Sequence, residues 1–484
     1  MAQHEQADLD LITFGTGGWR AIIGETFTRE NVVRVAAGVC ELAAREKRTG
    51  KPVVIGYDRR FLSNSAARWI AEVFCAHGFH VLFMKRSAPT PLVMFLVKDM
   101  ELDYGIEVTA SHNPPYYNGI KLIVREGRDA PVETTRQLEE IIAEIRAGRV
   151  PRIPFNECVE KGLVEYLKHP FNRFIDSILS KLDIEAIRER DLRVLFNPMH
   201  GSGTYPLMAI LYTTRCTVDL VGGEKDAYFG GRDPAPSGNT LKDFRDSVVA
   251  GKYDLGIAFD GDADRLGIID SNGRYITANE TLCLLYYYLH EHKGWRGPVV
   301  RNVATTHMLD KIAASFGEVC YEVPVGFKYV SAAIDKYDAM LGGESSGGLT
   351  VRGHIHGKDS IYAASLFVEM ICKTGRSPSA LMDELTSRYG SHVMVEDNSS
   401  FQPDDRGRIT DLIMTSRSLP DFGDRRVKQV SYADGFKVVF EDDSFVLCRF
   451  SGTEPLLRVC AEASSEAEAS KLISIFKKFI ADIT

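Results

Sequence analysis

In TASHNPPYYNGIK (109–121), Ser111 stands beside His112 and Asn113, with two prolines before Lys121. A serine hydroxyl is a poor nucleophile and needs a neighbouring base or compensating charge. His112, Asn113 and Lys121 offer that polarity, and an ammonium can hold a phosphoryl group as a point charge. DGDADR (260–265) alternates Asp260, Asp262 and Asp264, so an extended or looped backbone can converge their oxygens on one hard cation. An EF-hand is excluded, because its sixth position needs glycine and its twelfth glutamate, where this chain has Arg265 and Ser271. Mg2+ suits the motif best, since it is commonly held by a few carboxylates and a phosphate oxygen. In RFSGTEPLLR (449–458), Gly452 lets backbone N–H groups form an anion nest, Ser451 and Thr453 add hydroxyls, and Arg449 and Arg458 offer planar forks for phosphate. Each stretch has a bland counterpart: a proline-rich turn, an acidic turn, a hairpin with incidental arginines. Three aspartates between apolar strands would repel one another without a counterion, and the three loops together favour chemistry.

The elements around these loops alternate. ENVVRVAAGVCELAAREK (30–47) and SNSAARWIAEVFCAHG (63–78) carry helical apolar spacing, while KPVVIGYD (51–58), HVLFM (80–84) and YGIEVT (104–109) read as strands. The prolines resist continuing a helix, and Asn118-Gly119 reads as a turn before IKLIV, which returns Lys121 beside the serine. After a polar link near 148–160, LRVLFNP (192–198) and DLGIAFD (254–260) read as strands, and a third α/β stretch runs from about 276 to 388. EDNSSFQPDDRGR reads as a loop. FKVVFEDDSFVLCRF then reads as a hairpin and SEAEASKLISIFKKFIADI as a closing helix. Alternating strands and helices predict layered α/β units, and the tail a small α+β domain. The expected limits are 1–155, 156–275, 276–388 and 389–484.

Composition narrows the class. Of 484 residues, 44% are hydrophobic and 26% charged, enough for sizeable cores. A net charge of -8 without a long basic run argues against nucleic acid and anionic membranes as partners. The first residues lack the basic head and apolar core of a signal peptide, and no apolar run reaches the ~18 residues of a membrane span. Nine cysteines without a CxxC pair read as reduced core thiols in a cytoplasmic protein. NPMHGSGT (197–204) lacks phosphate-loop spacing and reads as a strand-to-helix turn; His354 and His356 read as a solvated loop rather than a metal site.

TASHNP, DGDADR and SGTEP, in this order, resemble the α-D-phosphohexomutases, the phosphoglucomutase and phosphomannomutase superfamily, over almost the whole chain from FGTGGWR (14–20). The resemblance implies four domains around a central cleft: three related α/β units with mixed sheets and a C-terminal α+β domain. It implies a phosphoserine at Ser111, which with Asp260, Asp262 and Asp264 would hold Mg2+. Arg20, His112, Lys121 and Arg265 would neutralise the transferring group or move protons. GGESSGG (342–348) matches the family's sugar loop, giving Glu344 and Ser346 to the sugar. Lys328 and Lys358 would face the substrate, and Arg449, Ser451, Gly452, Thr453 and Arg458 would hold its non-reacting phosphate. Glucose 1,6-bisphosphate is the implied intermediate and activator.

The glycines after Ser346 and the GFK element resemble bacterial-type phosphoglucomutases, whereas Ser345 departs from their Glu-Glu-Ser. A phosphoglucomutase is therefore expected, with a phosphomannomutase, a phosphoglucosamine mutase or a serine-dependent sugar phosphatase as alternatives. An idle sugar-phosphate-binding protein would be expected to lose Ser111 or an aspartate, and none is lost. Monomer and dimer both stay open.

Overall fold

A computed structural model describes residues 11–15, 17–402, 404–450 and 456–482. The chain divides into two compact units. One runs to Thr281 and includes Ser346–Ser379; the other comprises Leu282–Ser345 and the chain from Ala380 onward.

The first unit opens with β1 (Phe14–Gly15), β2 (Gly18–Ile22), β3 (Val53–Tyr57), β4 (Val81–Phe83), β5 (Tyr104–Val108), β6 (Tyr117–Val124), β7 (Arg128–Asp129) and β8 (Val164–Tyr166). They form one mixed sheet ordered β1-β2-β6-β5-β3-β4-β8, with β7 on β6. VVIGY and YGIEV are buried at every position, as expected of strands covered on both faces. Helix Arg29–Arg45 begins where the Thr28 hydroxyl accepts from the Asn31 N–H, and it buries Val32, Val35, Val39 and Leu42. Each such burial is worth about 1.5–3 kcal/mol.

A second sheet in this unit contains β9 (Arg193–Asn197), β10 (Thr217–Leu220), β11 (Leu255–Phe259), β12 (Leu266–Asp270) and β13 (Tyr275–Ile276), in the order β10-β9-β11-β12-β13. β9 runs parallel to β10 and β11, whereas β11 and β12 are antiparallel, with DGDADR as their link.

In the second unit, β14 (Val299–Asn302) is parallel to both β15 (Cys320–Val323) and β16 (Leu341–Gly343). The chain then returns to the first unit for β17 (Leu349–Val351) and helix Ser360–Thr374, which is buried from Ser360 to Cys372. The last domain is an antiparallel sheet of β18 (Val393–Ser400), β19 (Val427–Ser431), β20 (Phe436–Phe440), β21 (Phe445–Phe450) and β22 (Leu456–Ala463), ordered β18-β22-β21-β20-β19. Helix Glu466–Ala481 packs Leu472, Ile473 and Phe476 into the same core as Phe436, Val438 and Val446.

Three expectations change. Asn118-Gly119 is no turn: both lie inside β6, and the chain reverses earlier, over residues 111–116. Glycine is required at 119 for closeness rather than for turning, because a Cβ there would lie 2.2 Å from the Trp19 carbonyl oxygen and 2.7 Å from that of Thr109. EDNSS is strand, not loop, because β22 pairs with it over its whole length. The polar stretch after residue 148 is not a bare link. Phe155 packs on Phe83 at 5.0 Å, and β8, beyond residue 155, completes the first sheet beside β4.

All nine cysteines are free thiols, eight of them buried and Cys320 half-buried. Among the described residues no helix is long and apolar enough to cross a membrane.

Candidate active site

Ser111 is fully buried and holds a left-handed backbone, with φ of 51°. Few non-glycine residues adopt that conformation, and at Ser111 a set of buried hydrogen bonds accompanies it. Its N–H donates to Thr109 Oγ1 at 2.9 Å, and Thr109 Oγ1 donates to Asp58 Oδ2 at 2.7 Å. Its carbonyl accepts from Arg60 at 2.6 Å. So held, Ser111 Oγ donates to Asp260 Oδ2 at 2.8 Å, with Asp264 Oδ1 and His112 Nδ1 each at 3.4 Å.

The β11–β12 link carries the acceptors. Asp260, Asp262 and Asp264 are fully buried, and one oxygen from each lies within 4.8 Å of the others. The Asp264 and Arg265 N–H groups donate to Asp260 Oδ1 at 2.9 and 3.1 Å, which fixes that carboxylate. Gly261 lets this loop approach the serine loop, since a Cβ there would sit 2.7 Å from the Ser111 carbonyl oxygen. NPMHGSGT is a strand-to-helix turn, as expected, and it backs the loop. Ser202 N–H donates to the Gly261 carbonyl at 3.0 Å, and a Cβ at Gly201 would meet the Asp260 carbonyl oxygen at 2.8 Å.

Two ammonium groups reach the triad. Lys121 Nζ donates to Asp262 Oδ2 and Asp264 Oδ2, both at 2.7 Å, and Lys358 Nζ lies 2.8 Å from Asp264 Oδ2. Thr90 Oγ1 donates to Asp262 Oδ2 at 2.6 Å. Burial works against the Lys121 ammonium, but Asp262 and Asp264 more than offset it and hold its pKa up. Burial likewise opposes ionisation of Asp264, yet Lys121, Lys358 and Arg265 drive it well below the carboxylate range. Asp260 goes the other way, raised by burial and by Asp264 and Asp262 beside it. A hard divalent cation fits this donor set: three carboxylates converge, and a cation between them would offset the burial and mutual repulsion that disfavour the ionised form of Asp260. Asp262 Oδ1 is also buried without a hydrogen-bond partner.

Around the serine, Arg20 on β2 donates to Asn113 Oδ1 at 2.6 Å. The pKa of His112 is pushed well below its ordinary value by burial and then by Arg265 and Arg20, so the imidazole is neutral at physiological pH. Arg265 is half-buried and its Nε lacks a hydrogen-bond partner.

The second unit holds a separate polar group. Glu344 is buried, and its Oε1 accepts from the Gly326 N–H at 2.9 Å and from Asn302 Nδ2 at 3.0 Å. Gly326 (φ 129°) caps the helix that begins at Phe327, and Lys328 stands in its first turn, half-buried. Asp434 Oδ2 accepts from the Val325 N–H at 2.6 Å and pairs with Arg449 at 2.9 Å. Arg449 and Arg458 face one another across β21 and β22, with Arg458 exposed. Ser451, Gly452 and Thr453 lie outside the described residues. In the first unit Ser346 is exposed, and His354 is buried 2.6 Å from Asp359 as an internal pair rather than in a solvated loop.

Sequence reasoning missed Asp58, Arg60, Thr90, Glu107 and Asn302. YDRR at the end of a strand is a weak signal, and no local pattern marks the other three.

Four domains of the phosphoglucomutase/phosphomannomutase family match the chain in order. Alpha/beta/alpha domain I covers residues 11–149, domain II 172–273, domain III 277–389 and the C-terminal domain 417–478. A phosphoglucomutase/phosphomannomutase of Thermococcus kodakarensis is 31% identical over 468 residues, covering 96% of this chain and 98% of that one. A phosphoglucosamine/phosphogalactosamine mutase of Sulfurisphaera tokodaii is 27% identical over 472 residues, covering 96% and 98%. The crystal structure of a candidate phosphomannomutase from Thermus thermophilus superposes with a TM-score of 0.84 at 27% identity, covering 97% of this chain and 99% of that one. Fold and relatives define a phosphotransferase of the mutase type. The chain belongs to the phosphoglucomutase/phosphomannomutase family, within the α-D-phosphohexomutase superfamily that its loops resemble.

Proposed function

We propose that this enzyme interconverts a hexose 1-phosphate and a hexose 6-phosphate, with glucose the leading sugar, through phosphorylated Ser111 and a hexose 1,6-bisphosphate. The observation that carries this reading is the 2.8 Å hydrogen bond from Ser111 Oγ to Asp260 Oδ2 inside the buried triad. Asp260, Asp262 and Asp264, with a phosphate oxygen on Ser111, would hold Mg2+, which when bound supplies positive charge to the transferring phosphoryl group.

In the forward step the bond between Ser111 Oγ and phosphorus breaks as a sugar hydroxyl oxygen bonds to phosphorus, and the hydroxyl gives up its proton. The departing Ser111 Oγ gains a proton in exchange, and His112, 3.4 Å from that oxygen, would help to move protons there. Lys121 and Lys358 fix the carboxylates, while Arg20 and Arg265 add positive charge beside the serine. After the bisphosphate turns over, its other phosphate returns to Ser111. Glu344 and Ser346 would bind sugar hydroxyls. Lys328, Arg449, Ser451, Gly452, Thr453 and Arg458 would hold the phosphate that is not reacting. The buried free thiols support a cytoplasmic site of action.

A hexosamine phosphate is the second reading, favoured by the name of the Sulfurisphaera relative. One panel tests both: glucose, mannose and glucosamine 1-phosphates with a trace of the matching bisphosphate, alongside intact mass of the protein. We expect a phosphorylated fraction that disappears in Ser111→Ala, and turnover fastest on glucose 1-phosphate. Full turnover by Ser111→Ala overturns the covalent cycle. Release of inorganic phosphate in place of the 6-phosphate makes the enzyme a phosphatase.

A further inference from the structure

Arg60 is 3% exposed and spends its guanidinium on one segment of chain. One terminal nitrogen donates to the Ser111 and Asn113 carbonyls, both at 2.6 Å. The other donates to the Pro114 carbonyl at 2.8 Å and the Tyr117 carbonyl at 3.1 Å. Its Nε lies 3.3 Å from Asp58 Oδ2, and the Arg60 backbone N–H donates to Asp58 Oδ1 at 2.9 Å. Asp58 also accepts from Ser63 Oγ at 2.6 Å and from Thr109 Oγ1 at 2.7 Å. The whole reversal that carries Ser111 is thus bound to one planar fork, itself locked at the start of the 63–76 helix. The ring of Phe229 covers the guanidinium face at 4.8 Å, and a Cβ on Gly261 would lie 3.4 Å from that same ring. Arg60 therefore touches the backbone of the serine loop on one side and, through Phe229, the wall of the aspartate loop on the other.

We propose that Arg60 is the positioning residue that holds Ser111 in its left-handed conformation, with Oγ on the aspartate triad, and so sets the rate of phosphoryl transfer rather than the affinity for sugar phosphate. The second half rests on the mutase reading. The first half does not. A lysine cannot replace this group: its ammonium has three donors on one atom and no planar face, whereas the carbonyls are spread over four residues and two nitrogens.

Two measurements on the full chain decide it. Amide hydrogen exchange across residues 109–118 reads the clamp without any substrate. In Arg60→Lys, protection there falls about tenfold or more, while β3 and helix 63–76 keep theirs. Phe229→Leu, which leaves Arg60 every donor, loosens the same segment by only a few-fold. Unchanged protection in Arg60→Lys overturns the clamp, as does loss spread evenly over the sheet. Single-turnover transfer from the bisphosphate to Ser111, followed by intact mass, reads the consequence. The rate falls about a hundredfold, the scale of a misplaced reacting atom, and half-saturating substrate stays within about threefold. A loss falling on half-saturation alone overturns the positioning role. If the parent protein transfers no phosphoryl group at all, the mutase reading fails, and the exchange measurement still decides the clamp.

Discussion

Glu107 and Lys121 are direct partners across β5 and β6, yet Lys121 turns its ammonium to Asp262 and Asp264, and both carboxyl oxygens of fully buried Glu107 lack a hydrogen-bond partner. There is room for this side chain because its neighbour on β3 is Gly56, where a Cβ would sit 2.2 Å from Glu107 Oε2. Burial, then Asp58 and Asp262, raise its pKa well above the ordinary range, against a smaller opposing pull from Lys121.

The pH dependence of stability follows from that direction. The unfolded chain loses this proton near pH ~4.3, while the folded protein keeps it to higher pH. Folding is therefore unhindered by Glu107 below that pH and is penalised increasingly as pH rises towards the folded value, by up to ~1.4 kcal/mol per pH unit. Glu107→Gln removes the ionisation. Urea unfolding of both proteins from pH 4.5 to 8 shows the variant gaining relative stability as pH rises; parallel curves refute a raised Glu107.

Asp262→Asn removes charge from the triad and weakens its hold on both a divalent cation and Lys121. Turnover falls by a hundredfold or more, on the order of a lost electrostatic contact to the reacting group, with a smaller change in half-saturating substrate. Titration with Mg2+ moves the requirement to higher concentration in the variant. Turnover by the parent that survives exhaustive chelation removes the metal from the scheme.

Glu344 has one oxygen committed to Gly326 N–H and Asn302 Nδ2. In Glu344→Gln the amide oxygen can keep those bonds, so the loop stays in place, but the other position becomes a donor. A sugar hydroxyl that donated there loses its acceptor. Discrimination between glucose and mannose 1-phosphates drops by about 1–3 kcal/mol, read as the ratio of their kcat/KM values. A preserved ratio frees Glu344 from sugar selection.

Asp434 joins the Val325 N–H to Arg449, so it ties the segment leading to Lys328 to one arm of the proposed phosphate clamp. In Asp434→Ala the Arg449 fork is no longer oriented. Half-saturating concentrations of the 1-phosphate and the 6-phosphate both rise about tenfold, roughly 1.4 kcal/mol, with turnover at saturation little changed. If only one of the two substrates suffers, Arg449 serves a single binding pose.

Much of this protein is written locally. TASHNP, DGDADR, the buried strands VVIGY and LGIAF, and the capped helices obey rules that act over a few residues: apolar period, proline stiffness, alternating carboxylates. Those rules were enough to pick out Ser111 and the triad, and to foresee four domains. They misjudged Asn118-Gly119 and EDNSS, because a glycine between close strands and a polar strand against β22 draw their conformation from distant neighbours. The centre itself is a product of such neighbours. Ser111 meets Asp260 across 149 positions of chain, Lys121 meets Asp262 across 141, and Thr90 meets Asp262 across 172. Arg60 stands 51 positions before the serine whose carbonyl it binds. A buried donor takes whichever acceptor the packed domains bring within 3 Å, because leaving it unpaired costs more than any local preference supplies. Only the tertiary structure decides that Lys121 goes to the aspartates while Glu107, directly opposite, is left alone.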